Sequence, residues 1–213
     1  MRYSIVGSGA IGMAVAKHFA RLATPVLLAN TRGPASLASA AAELGSSIAP
    51  SELIEALKAD VVILAIPFDA VSSVAKAVPG WSGRIVVDAT NAIDYSKDFS
   101  PKDLSGRPSS HVVGDAVPGA RVVKTFNTMW ARVLARDPQD QNGRRVLFLA
   151  GDDPEANKTI AELVTLWGFA PIDLGRIAEG GLLIQFGGPL TALSLVSQPQ
   201  GGASLPEMDL LQR

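Results

Sequence analysis

Short apolar runs alternate along most of the chain with longer stretches in which apolar residues recur every three or four positions. The runs lie within positions 3–6, 26–29, 61–67, 84–90, 121–126, 145–150 and 169–174. A run without polar alternation is typical of a parallel strand covered on both faces, and the longer spacing is typical of an amphipathic helix. The pattern therefore predicts an α/β fold, doubly wound, with a mainly parallel sheet and helices on both faces.

A turn rich in glycine follows the first run and precedes a helical pattern. Gly7, Gly9 and Gly12 lie in the stretch Gly-Ser-Gly-Ala-Ile-Gly. Between a strand and a helix, the first glycine permits a tight turn, the second lets the backbone approach a pyrophosphate, and the third lets the helix pack close to the strand. The N–H groups and partial positive charge of the helix N-terminus also suit a phosphate. We therefore expect a Rossmann-type dinucleotide-binding domain.

The end of the second run indicates which dinucleotide binds. Enzymes that use NAD usually place an acidic residue there to hold the ribose 2′-hydroxyl, and that acid repels a 2′-phosphate. This chain has Asn30 in that position, followed by Thr31 and Arg32. A guanidinium holds a phosphate with two parallel hydrogen bonds, and a hydroxyl adds a neutral one. NADP is therefore the predicted cofactor, although Arg32 taken alone is typical of a solvated surface charge.

Two further residues follow predicted strands at the sheet edge where open α/β folds bind ligands. Phe68 comes directly after the run at 61–67, and Asn91 follows the run at 84–90. Phe68 is predicted to lie along the nicotinamide or ribose side of the cofactor, or else to cover the sheet edge. The Asn91 amide is predicted to reach the nicotinamide or a second substrate, with a simple turn residue as the alternative.

Few side chains suggest acid–base or metal chemistry. His18 lies on the first predicted helix and His111 in a loop, and with no visible acidic partner we expect neither to be catalytic. Lys124 lies within a strand and is predicted to form an ion pair or to face the backbone. Asp152 and Asp153 precede a helical stretch, where acids favour the helix dipole, so a cap is expected rather than a metal site.

Composition narrows the class of protein. The 213 residues are 47% hydrophobic and have a formal net charge of −1, so we expect a real core and no nucleic-acid or membrane partner. The chain has no cysteine, which excludes disulfides and zinc–thiolate sites within it. No signal-peptide pattern is visible, and the apolar runs are too short to span a bilayer. A cytoplasmic protein is expected.

We expect a nucleotide-binding domain at 1–175 and a small C-terminal helical extension with a tail at 176–213. Residues 94–119 lose periodicity and gain Ser, Pro and Gly, which predicts a long loop that acts as a lid or partner surface. An apolar helix predicted at 182–196 would pack against a second subunit, so a homodimer is expected; packing on its own sheet is the alternative. Residues 198–213 are predicted to form the tail.

Six segments carry a family resemblance: GSGAIG at 7–12, NTRGP at 30–34, DVVILAIPFDAV at 60–71, DATNAI at 88–93, VVKTFNTMWARVL at 122–134, and the segment 147–175. In these segments the chain resembles the NADP oxidoreductases that reduce the 5-deazaflavin coenzyme F420. The nucleotide-binding domain of that family is also similar to the one in STEAP-type ferric reductases. The resemblance covers nearly the whole chain to about residue 193.

The resemblance implies a cofactor site and a neighbouring acceptor site. It implies a cofactor-binding set made of Gly7, Ser8, Gly9, Ala10, Ile11 and Gly12 at the pyrophosphate, Asn30, Thr31 and Arg32 at the 2′-phosphate, and Ile66, Pro67, Phe68, Asn91 and Ala92 at the nicotinamide. It implies that the second ring, a deazaflavin or a flavin, lies beside Asn127, Thr128 and Met129. No catalytic side chain and no metal ligand are implied.

Hydride transfer between two stacked rings requires no protein nucleophile, so we predict an NADP(H)-dependent oxidoreductase with a deazaflavin or flavin acceptor. A carbonyl or imine reductase is the second interpretation, but it calls for a positioned lysine or histidine acid, and residues 180–186 contain none. A third is a non-catalytic protein that senses NADP and contacts a partner through residues 94–119.

Overall fold

The computed structural model describes residues 1–140 and 143–198. The strands are β1 (Tyr3–Val6), β2 (Val26–Ala29), β3 (Ile48–Pro50), β4 (Val61–Leu64), β5 (Ile85–Asp88), β6 (Ile93–Asp94), β7 (Ser100–Pro101), β8 (Arg121–Lys124), β9 (Gln139–Asp140), β10 (Gly143–Gly151), β11 (Ala170–Asp173) and β12 (Val196–Ser197). The helices are α1 (Ala10–Arg21), α2 (Ala38–Leu44), α3 (Leu53–Ala56), α4 (Val71–Ala75), α5 (Ser109–Ala116), α6 (Ala131–Leu134), α7 (Pro154–Leu166) and α8 (Leu182–Ile184).

The central sheet has the strand order β3-β2-β1-β4-β5-β8-β10-β11. Its first six strands are parallel, whereas β10 runs antiparallel to β8. The chain therefore winds to one side of β1 through β2 and β3 and to the other side through β4 and β5. This is the strand order of a Rossmann-type half, and it confirms the predicted α/β fold with its mainly parallel sheet.

Neighbouring residues of each central strand face opposite cores. Ile5 of β1 and Ile63 of β4 pack in the core that includes α1 and α7. Val6 and Leu64 pack in the second core, which includes α3, α4 and α5. All four side chains are at most 1% exposed, and burying each one stabilises the fold by about 1.5–3 kcal/mol. Burial on both faces explains why the apolar runs lack polar alternation.

Residues 94–119 do not form the single long loop predicted from the sequence. They contain the hairpin of β6 and β7, which is held to the end of β5 by the Lys102 N–H donating to the Ala92 carbonyl at 2.9 Å. They also contain α5, from which Val113 is 1% exposed and packs in the second core. The helix was missed because it is short, contains Gly114 and has few apolar residues, which leaves almost no helical periodicity.

The C-terminal extension contains less helix than predicted. A π-helical turn at Ile177–Gly181 leads into α8, and the long apolar helix expected at 182–196 is wrong. The helix ends at Ile184, because Gln185 is extended, and it does not resume past Gly187, at φ +84°, and Pro189. Val196 and Ser197 instead pair with β10, and Ile184 packs beside Phe148, so the extension packs on its own sheet. Of the predicted tail at 198–213, all but Gln198 lies outside the described residues.

Within the described ranges, none of the helices is long and apolar enough to cross a membrane.

Candidate functional site

The glycine turn after β1 is tightly enclosed at two of its three glycines. Gly7 has φ +113°, and a Cβ there would lie 2.1 Å from the Ala65 carbonyl oxygen, just beyond β4. A Cβ on Gly12 would lie 1.9 Å from the Gly7 carbonyl oxygen. Neither position accepts a side chain, because the turn passes against the end of β4 and α1 packs against the turn. The Gly7 N–H also donates to the Ala29 carbonyl at 2.8 Å, which joins the turn to the end of β2.

Gly9 differs from the other two glycines, because a Cβ there would meet no atom within 4 Å. Gly9 immediately precedes α1, no side chain caps this helix, and its first turn contains no acidic residue. The first N–H groups of α1 therefore lack an intrahelical acceptor, and the space above the glycine is open. A pyrophosphate fits this arrangement, because it accepts those hydrogen bonds and its negative charge suits the helix dipole.

A polar cluster lies beside the turn at the end of β2. Asn30 Nδ2 donates to Ser8 Oγ and to Ser36 Oγ, each at 3.0 Å, and Asn30 Oδ1 accepts from the Arg32 backbone N–H at 2.8 Å. Arg32 Nη2 donates to Ser8 Oγ at 3.4 Å. The Arg32 side chain is exposed, and no carboxylate of the described residues pairs with it. A guanidinium without an acidic partner, surrounded by hydroxyl and amide groups, fits a phosphate.

Ser36 belongs to this cluster but was not selected from the sequence. It lies in a 3₁₀ turn at Pro34–Leu37, and its hydroxyl donates to the Gly33 carbonyl at 2.7 Å. The sequence did contain a signal for Ser36, because it lies two residues after Pro34, which begins a helical turn. The first turn after β2 lies at the edge of the sheet where the cofactor is predicted to bind. Thr31, predicted to bind the 2′-phosphate, is exposed, and its hydroxyl makes no hydrogen bond within the described part of the chain.

The residues predicted for the nicotinamide follow β4 and β5. Ile66 adjoins the glycine turn, because its Cγ2 would lie 3.1 Å from a Cβ on Gly7. Pro67 is exposed and Phe68 is half-buried against the second core. Ala92 is 5% exposed beyond the end of β5. The structure therefore brings the predicted cofactor residues together along one edge of the sheet, on both sides of the point where the winding reverses.

Asn91 and Asn127 join the ends of β5 and β8. Asn127 Nδ2 donates to Asn91 Oδ1 at 3.1 Å and to the Ile184 carbonyl at 2.6 Å. Asn127 Oδ1 is buried and has no hydrogen-bond partner in the described residues. Leaving such a group unpaired costs about 1–3 kcal/mol, so this oxygen is suited to an N–H group of a ligand. The preceding residue, Phe126, has φ +67°, a strained value of the kind that clusters at functional sites.

The two residues after Asn127 are packed within the protein, and their contact with the acceptor stays a prediction. Met129 is 6% exposed and packs in the core that includes α1 and α7. Thr128 is 5% exposed, and its carbonyl accepts from the Ala192 N–H at 2.8 Å, which fastens the C-terminal segment. In the structure both residues therefore make packing contacts, whereas Asn127 keeps a buried side-chain oxygen without a partner in the described residues.

A buried ion pair lies under the ends of β5 and β8. Lys124 Nζ is 3.1 Å from Asp88 Oδ2, and the two residues are 1% and 0% exposed. Asp88 also accepts from Ser110 Oγ at 2.6 Å and from the N–H and hydroxyl of Thr90. Burial acts to raise the pKa of the Asp88 carboxyl, but the Lys124 ammonium and these hydrogen bonds outweigh it, so the pKa lies below its ordinary value. The ion pair expected for Lys124 is confirmed.

His18 is a core residue. It is 1% exposed, its Nε2 donates to the Leu134 carbonyl at 2.6 Å, and its ring stacks on Trp167. Burial lowers the pKa of His18 from 6.5 to about 4, against the opposing effect of the Leu134 hydrogen bond. Between these values the unfolded chain binds a proton that the folded chain does not, so protons favour unfolding.

The contribution of neutral His18 to the free energy of unfolding should therefore be present above pH 6.5 and be lost as the pH falls toward 4. We expect His18→Gln to remove about 2 kcal/mol from the difference in unfolding free energy between pH 6.5 and pH 5, because each pKa unit contributes about 1.4 kcal/mol. Urea unfolding at the two pH values measures this difference, and His111→Gln is the control. An unchanged difference in the His18 variant would contradict the burial argument.

The second histidine has an acidic partner that the sequence did not reveal. His111 Nε2 lies 2.9 Å from Asp152 Oδ2, across 41 positions of sequence. Both line a cavity together with Val122, near the start of β8, whereas the candidate cofactor residues follow the strand ends. Asp153 Oδ1 accepts from the Ala156 N–H at 2.8 Å and caps α7, as expected. The described residues include no group of three or more His, Asp or Glu side chains that could hold a metal.

The strand order, the three-glycine turn and the open helix N-terminus define a Rossmann-type dinucleotide-binding protein. Residues 2–92 match the model of the family described as NADP oxidoreductase, coenzyme F420-dependent. Because the family is one of NADP oxidoreductases, the predicted cofactor is confirmed as NADP, while the residues that hold it stay predictions.

Three known proteins extend the comparison. A hypothetical protein from Sinorhizobium meliloti, SMa0349, is 50% identical, with a TM-score of 0.90 over 93% of this chain and 96% of that one. A protein of Arthrobacter sp. FB24 that is described as a proposed F420-dependent NADP reductase is 25% identical. Its TM-score is 0.69 over 83% of this chain and 86% of that one. Rat (Rattus norvegicus) Metalloreductase STEAP3 is 30% identical over 121 residues, 56% of this chain, and the chain matches only 23% of that protein's length.

Proposed function

We propose that the protein binds NADPH along the ends of β1, β2, β4 and β5 and transfers hydride to the ring of a deazaflavin or flavin acceptor. The observation that carries the proposal is the pairing of two features at one edge of the sheet. The backbone at Gly9 is open to a pyrophosphate, and Arg32 lies beside Ser8 and Asn30 with no acidic partner in the described residues. One dinucleotide with a 2′-phosphate satisfies both features.

In this proposal the chain binds and orients. The first turn of α1 receives the pyrophosphate, and Ser8, Asn30, Arg32 and Ser36 receive the 2′-phosphate. The unpaired Asn127 Oδ1 accepts an N–H of the nicotinamide carboxamide, which fixes the rotation of the ring. The nicotinamide supplies the hydride, and the acceptor takes a proton from solvent. Holding two rings in this way lowers the barrier through orientation, so no protein nucleophile is needed.

The placement of the basic side chains supports a ring acceptor over a simple carbonyl or imine substrate. Reduction of a carbonyl or imine calls for a proton donor beside the reacting atom. His18 and Lys124 are each 1% exposed and already donate within the protein, to the Leu134 carbonyl and to Asp88. The ammonium of Lys102, which lies closer to the predicted nicotinamide residues, is paired with Asp69. His111 lies with Asp152 near the start of β8. A deazaflavin or flavin does not require such a side chain, because its own ring system accommodates the added electrons.

Anaerobic oxidation of NADPH, followed at the nicotinamide absorbance, tests the proposal. A deazaflavin, free flavins, and a panel of ketones and cyclic imines are offered separately to the purified chain. We expect saturable turnover with the deazaflavin or a flavin. Turnover only with ketones or imines would support the reductase interpretation instead, and tight NADPH binding without any turnover would support an NADP-sensing protein.

Arg32→Ala should weaken NADPH binding while leaving NADH binding nearly unchanged. We expect a loss of about tenfold to a hundredfold for NADPH, because a charged partner of the phosphate contributes about 1.5–3 kcal/mol. Titration calorimetry with both cofactors measures it. Arg176→Ala, an exposed arginine beyond β11 at the far side of the sheet, is the matched control. An equal loss for NADPH and NADH would refute the role in binding the 2′-phosphate.

The homodimer and the cytoplasmic location stay predictions. A group of exposed apolar side chains near the C-terminus supports a second subunit as the partner: Leu182, Leu183, Leu193, Leu195 and Val196. Sedimentation velocity of the purified chain measures the oligomeric state directly.

A further inference from the structure

A second cavity adjoins the nicotinamide end of the candidate cofactor site. It measures about 300 Å³ and is lined by Ala92 beyond β5, by residues from Pro101 to Ser109, and by Leu182, Gln185 and Phe186 of the C-terminal extension. A volume at the lower end of the range for small-molecule sites suits a compact ring system. Since Ala92 belongs to both places, an occupant of the cavity lies next to the proposed nicotinamide position.

The hairpin of β6 and β7 is fastened over this cavity. Lys102 Nζ forms an ion pair with Asp69, the residue after Phe68, and the Lys102 backbone N–H donates to the Ala92 carbonyl. On the other side, Gly187 approaches Pro101 so closely that a Cβ would lie 2.3 Å from the proline Cγ. The hairpin and the C-terminal extension therefore contact each other and form one wall of the cavity.

The cavity is lined by a residue whose polar side-chain atom has no hydrogen-bond partner in the described residues. Ser109 is 2% exposed, and its hydroxyl makes no hydrogen bond within the described residues. The Ser109 N–H donates to Gln185 Oε1 at 3.0 Å, and the Gln185 amide nitrogen Nε2 makes no hydrogen bond in the described structure. A buried hydroxyl without a partner is costly, so its retention is consistent with a hydrogen bond to a ligand.

The charged side chains around the cavity are already engaged. Lys102 pairs with Asp69, Arg107 pairs with Asp115, and Asp103 Oδ1 accepts from the Ser105 N–H. Because the two cationic side chains are paired and the free oxygen of Asp103 can only accept, the groups left to donate to a ligand are neutral, the Ser109 hydroxyl and the Gln185 amide N–H. Neutral donors facing apolar walls such as Leu182 and Phe186 complement carbonyl oxygens on an uncharged ring.

We propose that this cavity is the acceptor site and that Ser109 and Gln185 determine its specificity by donating hydrogen bonds to carbonyl oxygens on an uncharged ring. The inference rests on the proposed function, since it places the acceptor beside the nicotinamide. Flavins, deazaflavins and quinones share this carbonyl chemistry, and the experiment separates them.

Equilibrium binding to the NADP⁺-loaded protein tests the inference without turnover. The probes are riboflavin, 5-deazariboflavin, menadione, and acridine, which is a tricycle of similar size without a carbonyl oxygen. Ser109→Ala is compared with Ser73→Ala, which changes an exposed serine of α4. We expect Ser109→Ala to bind the preferred carbonyl probe about tenfold more weakly, with unchanged NADP⁺ affinity and undiminished thermal stability. Acridine should bind weakly to both variants.

Two results would overturn the inference while leaving the proposed function intact. One is an unchanged affinity of Ser109→Ala for every carbonyl probe, and the other is the absence of carbonyl-probe binding by the wild-type chain, each with normal NADP⁺ binding. Failure of the wild-type chain to bind NADP⁺ at all would instead overturn the proposed function together with the inference.

Discussion

Lys124→Met is expected to destabilise the fold by about 3–5 kcal/mol, because it leaves the Asp88 carboxylate buried without its countercharge. The two residues are 1% and 0% exposed, and the carboxylate keeps only its hydrogen bonds from Ser110 and Thr90. Urea unfolding at pH 7 measures the loss. Lys17→Met, which changes an exposed lysine of α1, should shift the unfolding free energy by less than about 0.5 kcal/mol.

The double variant Asp88→Asn with Lys124→Met separates the buried charge from lost packing. An asparagine at position 88 carries no charge, still accepts the hydrogen bonds from Thr90 through its Oδ1, and can donate its amide N–H to the Ser110 hydroxyl. We therefore expect it to recover a large part of the stability. If Lys124→Met alone costs no more than Lys17→Met, the buried pair is not a structural element of this fold. If the double variant is less stable than Lys124→Met alone, the cost comes from packing and not from charge.

Gly9→Val is expected to weaken NADPH binding by about a hundredfold or more, because the side chain occupies the space that the pyrophosphate needs and blocks charge-assisted hydrogen bonds of about 1.5–3 kcal/mol each. A Cβ at this position meets no protein atom within 4 Å, so the fold itself has room for it. The unfolding free energy should change by only about 1 kcal/mol, the scale of a helix-cap substitution.

Two other glycines provide the comparison for Gly9. Gly80→Val also places a side chain in open space, but it lies in the turn before β5, at the opposite edge of the sheet, and should leave NADPH binding unchanged. Gly12→Val should reduce the stability of the fold, because its Cβ would lie 1.9 Å from the Gly7 carbonyl oxygen. Normal NADPH affinity in a folded Gly9→Val protein would refute the pyrophosphate assignment.

The parts of the fold that depend on local spacing could be predicted from the sequence. The strand, turn and helix around Gly7 and Gly12 follow from a short pattern, because strand burial and glycine geometry are both local properties. The mainly parallel, doubly wound sheet follows from the alternation of strands with helices. Arg32 could be selected as a candidate phosphate-binding residue for the same reason, since that prediction depends only on its position after β2.

The parts that depend on tertiary contact could not be predicted. Asp152 lies 41 residues from His111, and the carbonyl that accepts from Asn127 belongs to Ile184, 57 residues away. The family resemblance implies that Met129 lies beside the acceptor, but the resemblance carries no information on packing, which takes its side chain into the core. The prediction of a long C-terminal helix was wrong, because apolar residues at helical spacing also suit an irregular segment that packs on a sheet. Gly187, within that segment, has a left-handed conformation that does not continue a helix.

We propose that the edge of the sheet formed by the ends of β1, β2, β4 and β5 binds a dinucleotide through its 2′-phosphate. Titration of the wild-type chain with NADPH and with NADH measures this property. The two cofactors differ only in that phosphate, so the ratio of their dissociation constants isolates the cluster of Ser8, Asn30, Arg32 and Ser36. We predict that NADPH binds at least about tenfold more tightly, as expected for one charge-assisted phosphate contact. Equal affinities, or a preference for NADH, would contradict the account.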